Sequence, residues 1–201
     1  AARTEKTKLI LLNSPSNPTG MIYSREELEA IGAWALEHDI LILADDIYGR
    51  LVYNGHEFTA ISSLSEALRK QTIVVNGVSK TYAMTGWRVG FAVAEPEIIA
   101  GMAKIISQTT SNLTAVSQYA AIEALTGDQS SIETMRQAFE ERLNTIYPLL
   151  AEIPGFEVIK PQGAFYLFPN VKKAMEMKGF TDVTDFTNAL LEEAEVALVT
   201  G

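Results

Sequence analysis

Three short apolar segments, each followed by polar and turn-forming residues, organise the first half of the chain. They cover residues 8–13, 40–44 and 72–75. Unbroken aliphatic runs are typical of parallel strands that are buried on both faces, so we expect each segment to be such a strand. Asn76 and Gly77 break the apolar pattern and are expected to turn the chain out of the third strand.

The segments between these strands have apolar residues at helical spacing. Ser24 has the character of an N-cap, because Glu27 follows at the capping-box position and a helical pattern then continues to about His38. A shorter helix is expected near residues 64–69. This alternation of strands and helices predicts an α/β fold of the doubly wound type, with a mostly parallel sheet.

The second half of the chain carries longer helical patterns. Residues 88–94 predict a fourth strand, antiparallel to the third because the connection is too short for a helical crossover. Four helices are expected, at residues 96–107, 115–125, 131–153 (capped by Ser130 or Ser131) and 181–193. Three further strands are expected, at residues 156–160 and 164–168, which form a hairpin around P-Q-G, and at residues 196–200.

The charge of the chain argues against a nucleic-acid partner. Its 201 residues carry 16 Lys and Arg against 25 Asp and Glu, a net charge of -9, whereas nucleic-acid binding needs clustered basic residues. The sequence contains no cysteine, so disulfides and thiolate chemistry do not enter the argument. No apolar run reaches membrane-spanning length. We therefore expect a cytoplasmic protein with no nucleic-acid or membrane partner.

Polar side chains follow the end of each predicted strand. Asn17 comes after the first strand, Asp45 and Tyr48 after the second, and Lys80 after the third. Because the carboxyl ends of parallel strands meet at one edge of a sheet, we expect these side chains to converge on one crevice. Arg88 follows shortly after Lys80. A lysine can form a Schiff base and an arginine can hold phosphate through a planar fork, so the pair suits a ligand with a carbonyl and a phosphate.

Three motifs, in matching order and with matching gaps, resemble those of the fold-type I pyridoxal-phosphate-dependent aminotransferases of class I/II. They are N-P-T-G at 17–20, D-D-I-Y at 45–48 and S-K-T-Y-A-M-T-G-W-R at 79–88. The form A-M-T-G-W-R resembles the branch that holds aspartate and aromatic aminotransferases. The segment G-A-F-Y-L-F-P at 163–169 is similar to part of the family's small domain.

The resemblance implies a pyridoxal 5'-phosphate cofactor and three catalytic residues. Lys80 would form the internal aldimine and then carry the proton between the substrate α-carbon and the cofactor C4′. Asp45 would pair with the pyridine nitrogen and keep it protonated, so that the ring can take up the carbanion's electrons. Tyr48 would hydrogen-bond the 3′ oxygen. Asp46 is expected to be structural, because only one of the two carboxylates can face the ring.

The remaining cofactor-binding residues follow from the same resemblance. Asn17 would join Tyr48 at the 3′ oxygen. Arg88 would hold the phosphate, helped by Ser79. Gly77 stands where many relatives have a hydroxyl residue near the phosphate, which is a departure from the family pattern.

The resemblance also implies how the chain is divided. We expect a cofactor-binding large domain of three-layer α/β/α type at 1–130, a long linking helix at 131–153, and part of a small α+β domain at 154–201. Family members carry a phosphate loop and a stacking aromatic before this region, and a substrate-binding arginine after it. We therefore expect an internal piece of a longer enzyme that is inactive alone and whose parent is a homodimer.

Several functions are compatible with these residues. The leading hypothesis is amino transfer between a small amino acid, with aspartate favoured by the branch resemblance, and a 2-oxo acid such as 2-oxoglutarate. A pyridoxal-phosphate β-lyase would use the same cofactor residues. An aminotransferase-like sensing domain of a transcription regulator would keep Lys80 and lose turnover. A magnesium-dependent hydrolase on Asp45 and Asp46 would leave Lys80 and Arg88 without a role.

Overall fold

A computed structural model of the chain describes residues 3–201. Its four-stranded sheet consists of β1 (Leu9–Asn13), β2 (Leu41–Asp45), β3 (Thr72–Gly77) and β4 (Gly90–Val93). The helices are α1 (Arg25–Glu37), α2 (Glu66–Gln71), α3 (Pro96–Thr109), α4 (Ala115–Thr126), α5 (Ser130–Ala151), α6 (Lys172–Lys178) and α7 (Val183–Ala194).

The sheet has the strand order β1-β2-β3-β4. The first three strands are parallel, and β4 runs antiparallel to β3. The predicted α/β class with a mostly parallel sheet is therefore confirmed, and so is the direction of the fourth strand. The parallel strands end at a common edge, which the following loops extend.

The helix after β1 begins where the sequence indicates. The Ser24 hydroxyl accepts a hydrogen bond from the Glu27 backbone N–H, and the Glu27 carboxylate accepts one from the Ser24 backbone N–H. This capping box pairs two N–H groups that have no partner within the helix. The core of this region joins one face of the sheet to α1 and α2, through Leu12, Leu28, Ala35, Ile42, Ala44, Ile61 and Leu68.

The expectation that β1 is covered on both faces is wrong. Leu12 is buried, but Leu9 and Leu11 are exposed, and Leu11 keeps 63% of its surface accessible. Alternate side chains of a strand point to opposite faces, so one face of β1 lies against the core and the other is open. Within residues 3–201, β1 pairs with β2 alone and forms an edge of the sheet.

The third strand continues through the residues that were expected to end it. Asn76 pairs with Phe91 and Gly77 with Gly90 in the antiparallel ladder with β4. A Cβ atom added at Gly77 would lie 2.8 Å from the Val89 carbonyl oxygen. Gly77 is thus present because the neighbouring backbone leaves no room for a side chain.

The predicted hairpin at 156–160 and 164–168 is wrong. The backbone of the second segment bonds elsewhere: the Ala164 N–H donates to the Leu51 carbonyl, and the Gln162 carbonyl accepts from the Tyr53 N–H. Ala164 also has a positive φ of 59°, which a regular strand does not allow. In place of a hairpin there are two isolated bridges, between Val52 and Gly163 and between Glu157 and Asn170.

Two further expectations near helix and chain ends are corrected. Ser130 is the first residue of α5 rather than its cap, and its N–H donates to the Asp128 carboxylate. Residues 196–200 form no strand; the Val196 N–H donates to the Leu190 carbonyl at the end of α7, and the Thr200 hydroxyl contacts that of Thr187. Helix α6 was not predicted.

The described residues fall into two compact units. One contains the residues up to Glu141 together with Pro161–Tyr166, and so holds the whole sheet. The other contains Arg142–Lys160 and Leu167–Gly201. The predicted domains at 1–130, 131–153 and 154–201 stay a prediction.

Asp46 is a charged residue inside the first unit. Its side chain is only 7% exposed, directly after the end of β2. Burial and the charge of Asp45 raise the pKa of Asp46 from its ordinary value of 3.8 to about 6. The folded protein therefore holds this proton more tightly than the unfolded chain does.

We predict that Gly77→Ala lowers the free energy of unfolding by about 1–3 kcal/mol, because the new methyl group overlaps backbone atoms that cannot move aside cheaply. Denaturant unfolding measures the change. Gly101→Ala is the control, since a Cβ there meets nothing within 4 Å and Gly101 lies inside α3. The control should be stabilised by about 0.5–1 kcal/mol. Equal stability of the Gly77 variant and the wild type would show that the backbone beside Gly77 leaves room for a methyl group.

We predict that burial of Asp46 makes the protein less stable as the pH rises. The proton of Asp46 stabilises the fold fully below about pH 4, and this contribution is lost as the pH passes about 6. Unfolding of wild type and Asp46→Asn across this range should show wild type losing on the order of 3 kcal/mol relative to the variant. Glu57→Gln removes an exposed carboxylate and serves as control. A constant difference between wild type and Asp46→Asn would refute the raised pKa.

Candidate active site

The strand register places polar residues side by side at the carboxyl edge of the sheet. Asn13 pairs with Asp45, and Asp45 pairs with Val75. The loops that leave these positions carry Asn17, the pair Asp45 and Asp46, and, just beyond β3, Lys80. Because the three strands are parallel, all these loops leave the sheet at the same edge.

Asn13 connects two of the predicted site residues. Its side-chain amide donates to the Asp45 carbonyl (3.3 Å), and its side-chain oxygen accepts from the Asn17 N–H (2.6 Å). Asn17 itself is exposed. Sequence reasoning assigned no role to Asn13, although a polar residue that ends an apolar strand was the available signal.

The two adjacent carboxylates occupy different environments. The Asp45 side chain is half-buried and accepts a hydrogen bond from the Ile47 N–H (3.2 Å). Asp46 is buried, and its backbone N–H donates to the Val75 carbonyl (3.0 Å). Asp45 is therefore the more accessible of the two carboxylates.

Tyr48 is almost fully buried in a group of aromatic rings. Its hydroxyl lies 2.5 Å from that of Tyr166. Its ring meets Phe165 and Tyr166 edge to face, with centroid distances of 5.3 and 5.7 Å. Burial is the largest of the effects that raise the pKa of Tyr48. The phenol is therefore a neutral hydrogen-bond donor at ordinary pH.

The amine of Lys80 lies against the same aromatic group. Its Nζ atom is 5.8 Å from the Tyr48 ring centroid and 5.4 Å from that of Phe165. An ammonium group at this distance is attracted to the face of an aromatic ring. Phe165 in turn stacks on Phe139, with centroids 5.3 Å apart. The structure thus brings Lys80 and Tyr48 together, in a partly enclosed position.

Ser79 and Arg88 both lie in the connection between β3 and β4. Gly77 pairs with Gly90, and the Val78 N–H donates to the Val89 carbonyl (3.3 Å), so the two ends of this connection are held together. Ser79 follows Val78, and Arg88 precedes Val89.

Arg88 belongs to a turn rather than to the fourth strand, in contrast to the expected strand at 88–94. It has a positive φ of 55° after a single 3₁₀ turn, Thr85–Trp87. Its guanidinium donates to the Thr85 carbonyl (2.8 Å) and is exposed. The hydrogen bond of the Arg88 guanidinium therefore stays within its own turn. It is separate from the contact between Lys80 and Tyr48.

Phe165 and Tyr166 are site residues that sequence reasoning missed. They lie more than a hundred positions after Tyr48, in the segment that was predicted as a strand. The signal in the sequence is the segment G-A-F-Y-L-F-P, whose resemblance to the family's small domain gives no role to either ring. No periodicity indicates that these two rings meet Tyr48.

The described residues give no support for a metal site or for a membrane-spanning helix. Among residues 3–201, no three His, Cys, Asp or Glu side chains are grouped as metal ligands would be, so a magnesium site on Asp45 and Asp46 gains nothing from the structure. No helix in this same range combines the length and the apolar character needed to cross a membrane.

Comparison with known proteins gives a consistent result. The chain is 76% identical over 201 residues to an asparagine–oxo-acid transaminase of Streptococcus mutans and 55% identical over 200 residues to an aspartate aminotransferase of Bacillus subtilis. Each alignment covers 100% of this chain and 51% of the relative. The chain therefore spans about half the length of the curated relatives it matches.

Solved structures agree with the sequence relatives. An aspartate aminotransferase from Rhizobium meliloti matches 98% of this chain with a TM-score of 0.91 and 38% identity, over 51% of its own length. An aromatic aminotransferase from Pyrococcus horikoshii matches 99% with a TM-score of 0.90 and 36% identity, over 52% of its own length. The model of one family, aminotransferase class I and II, matches residues 1–201. The chain therefore belongs to the aminotransferase class I and II family.

Proposed function

We propose that the full-length protein is a pyridoxal-phosphate-dependent aminotransferase, which moves an amino group between a small amino acid and a 2-oxo acid. The observation that carries this proposal is the position of the Lys80 amine beside Tyr48, at the sheet edge where Asp45 ends β2. Members of this family generally use pyridoxal 5'-phosphate.

The chemistry of the side chains fits this cofactor. The Lys80 amine matches its carbonyl group, the Asp45 carboxylate matches its pyridine nitrogen, and the phenol of Tyr48 with the amide of Asn17 matches its 3′ oxygen. The Arg88 guanidinium matches its phosphate, and the Ser79 hydroxyl would add a further donor. When bound, the cofactor supplies an electron sink for the negative charge that forms at the substrate α-carbon.

The residues of the chain supply attachment and proton transfer around that sink. Lys80 would hold the cofactor and, once substrate has replaced it, would carry the proton from the substrate α-carbon to the cofactor C4′ through its Nζ atom. The rings of Tyr48 and Phe165 lie beside this amine. Asp45 holds a proton on the pyridine nitrogen, and its own backbone is fixed by Asn13. Tyr48, which burial keeps neutral, donates to the 3′ oxygen.

The substrate proposal is a four-carbon amino acid. The branch resemblance favours aspartate, with 2-oxoglutarate as acceptor. The relative from Streptococcus mutans is named for asparagine, which is the side-chain amide of aspartate, and this supports asparagine as the second candidate donor. The two differ in the terminal group of the side chain, which is a charged acceptor in aspartate and a neutral amide with two N–H donors in asparagine.

We propose further that the full-length protein works in the cytoplasm as a homodimer, as the family resemblance implies. The exposed apolar residues of α4, among them Val116 (70% exposed) and Tyr119 (75% exposed), support association with a second surface. The adjoining segment 110–112 is polar and is our candidate for the border between subunits.

We predict that Lys80→Ala abolishes the absorption band of the imine between the lysine and pyridoxal phosphate in the full-length protein and lowers kcat at least about 100-fold, because the attachment point and the proton carrier are lost together. Lys104→Ala is the matched control, since Lys104 is an exposed lysine on α3. Spectra and steady-state rates are measured on both. A Lys80 variant with the wild-type spectrum would rule out Lys80 as the attachment residue.

We predict that the full-length protein, incubated with 2-oxoglutarate and either aspartate or asparagine, forms glutamate together with the oxo acid of the donor. Chromatography of the products measures this. Release of ammonia without a new amino acid would instead identify a lyase. Cofactor binding without any product would identify a sensing domain.

A further inference from the structure

A pair of tyrosine hydroxyls lies at the centre of the aromatic group. The hydroxyls of Tyr48 and Tyr166 are 2.5 Å apart, and Tyr48 is only 2% exposed. A phenol has one hydrogen to donate. Because one hydroxyl of the pair donates to the other, the second hydroxyl keeps its hydrogen for an acceptor outside the pair.

Main-chain hydrogen bonds fasten the segment of Tyr166 to the turn of Tyr48. The Leu51 N–H donates to the Tyr48 carbonyl (2.8 Å), and the Leu51 carbonyl accepts from the Ala164 N–H (2.9 Å). The Tyr53 hydroxyl donates to the Ala164 carbonyl. Ala164 is completely buried. Main-chain hydrogen bonds therefore join the segment that carries Tyr166 to the turn that carries Tyr48. The backbone thus fixes the contact between the two tyrosines.

The loop of Asn17 is attached to the same segment. The N–H groups of Gln162 and Gly163 both donate to the Gly20 carbonyl at 2.9 Å. A Cβ atom at Gly20 would lie 2.6 Å from that of Pro161, so the two segments are in close backbone contact. The two residues assigned to the 3′ oxygen, Asn17 and Tyr48, thus both lie in loops that are fixed to residues 161–166.

We infer that Tyr166 is a positioning residue, whose hydroxyl holds the Tyr48 phenol in the orientation in which Tyr48 donates its hydrogen into the site. The inference rests on the proposed function, because the acceptor there is the 3′ oxygen of the cofactor. With Phe at position 166, Tyr48 keeps its ring contacts and loses its hydroxyl partner. Tyr166 acts through Tyr48 and needs no contact of its own with substrate or cofactor.

The experiment compares Tyr166→Phe, Tyr48→Phe, the double variant and Tyr82→Phe in the full-length protein. Tyr82 is the matched control, since its hydroxyl donates to the Gln129 side chain outside the aromatic group. The first measurement is the pH midpoint of the visible absorption after loading with pyridoxal phosphate. Without a donor at the 3′ oxygen, the Lys80 nitrogen keeps its proton to higher pH.

Tyr48→Phe should therefore raise the midpoint, Tyr166→Phe should raise it by less, and the double variant should match Tyr48→Phe alone. Tyr82→Phe should match wild type. A wild-type midpoint in Tyr166→Phe would show that Tyr166 only fills space. A double variant in which the two shifts add would show that Tyr166 acts independently of Tyr48, and either result would overturn the inference.

The second measurement uses the cofactor-free protein. Near-ultraviolet titration of tyrosine ionisation isolates Tyr48 as the component that is absent in Tyr48→Phe. If Tyr166 donates to Tyr48, as the inference requires, its hydroxyl stabilises the ionised form of Tyr48, so Tyr166→Phe should raise the midpoint of that component. A lower or unchanged midpoint would overturn the inference. If wild type shows no cofactor band at all, the proposed function fails, whereas this titration still decides whether Tyr166 controls Tyr48.

Discussion

The parallel ladder of β1, β2 and β3 is the constraint on which the site depends. In-register pairing sets Asn13 beside Asp45 at one edge, and the loops that follow inherit this alignment. A slip of one residue would turn the buried side chains Leu12 and Ile42 to the other face of the sheet, so the hydrophobic core fixes the register. Packing well away from the chemistry therefore decides where the functional groups lie.

A second constraint comes from a segment far along the chain. Residues 161–166 return to the unit that holds the sheet, where main-chain bonds to Gly20 and Leu51 fasten them. They bring Phe165 against the Lys80 amine and Tyr166 against the Tyr48 hydroxyl. The strand edge thus supplies the charged groups, and the returning segment supplies the aromatic surroundings in which those groups work.

Local features of the fold were readable from the sequence. The capping box at Ser24 and the short connection before β4 act between neighbours, so pattern alone predicted them. The hairpin failed because the hydrogen bonds of Ala164 go to Leu51, and such a choice of distant partner leaves no trace in periodicity. Tyr166 was missed for the same reason. Asn13 was missed because its importance lies in two partners that only the strand register brings near.

The central claim is that the Lys80 amine is the point where the cofactor is attached. Borohydride adds hydride to a carbon–nitrogen double bond and converts it to a stable amine, so reduction of the loaded full-length protein fixes the label in place. Peptide mapping by mass spectrometry then locates it. The account predicts one phosphopyridoxyl group, on Lys80. A label on another lysine, or no stable label, would contradict it.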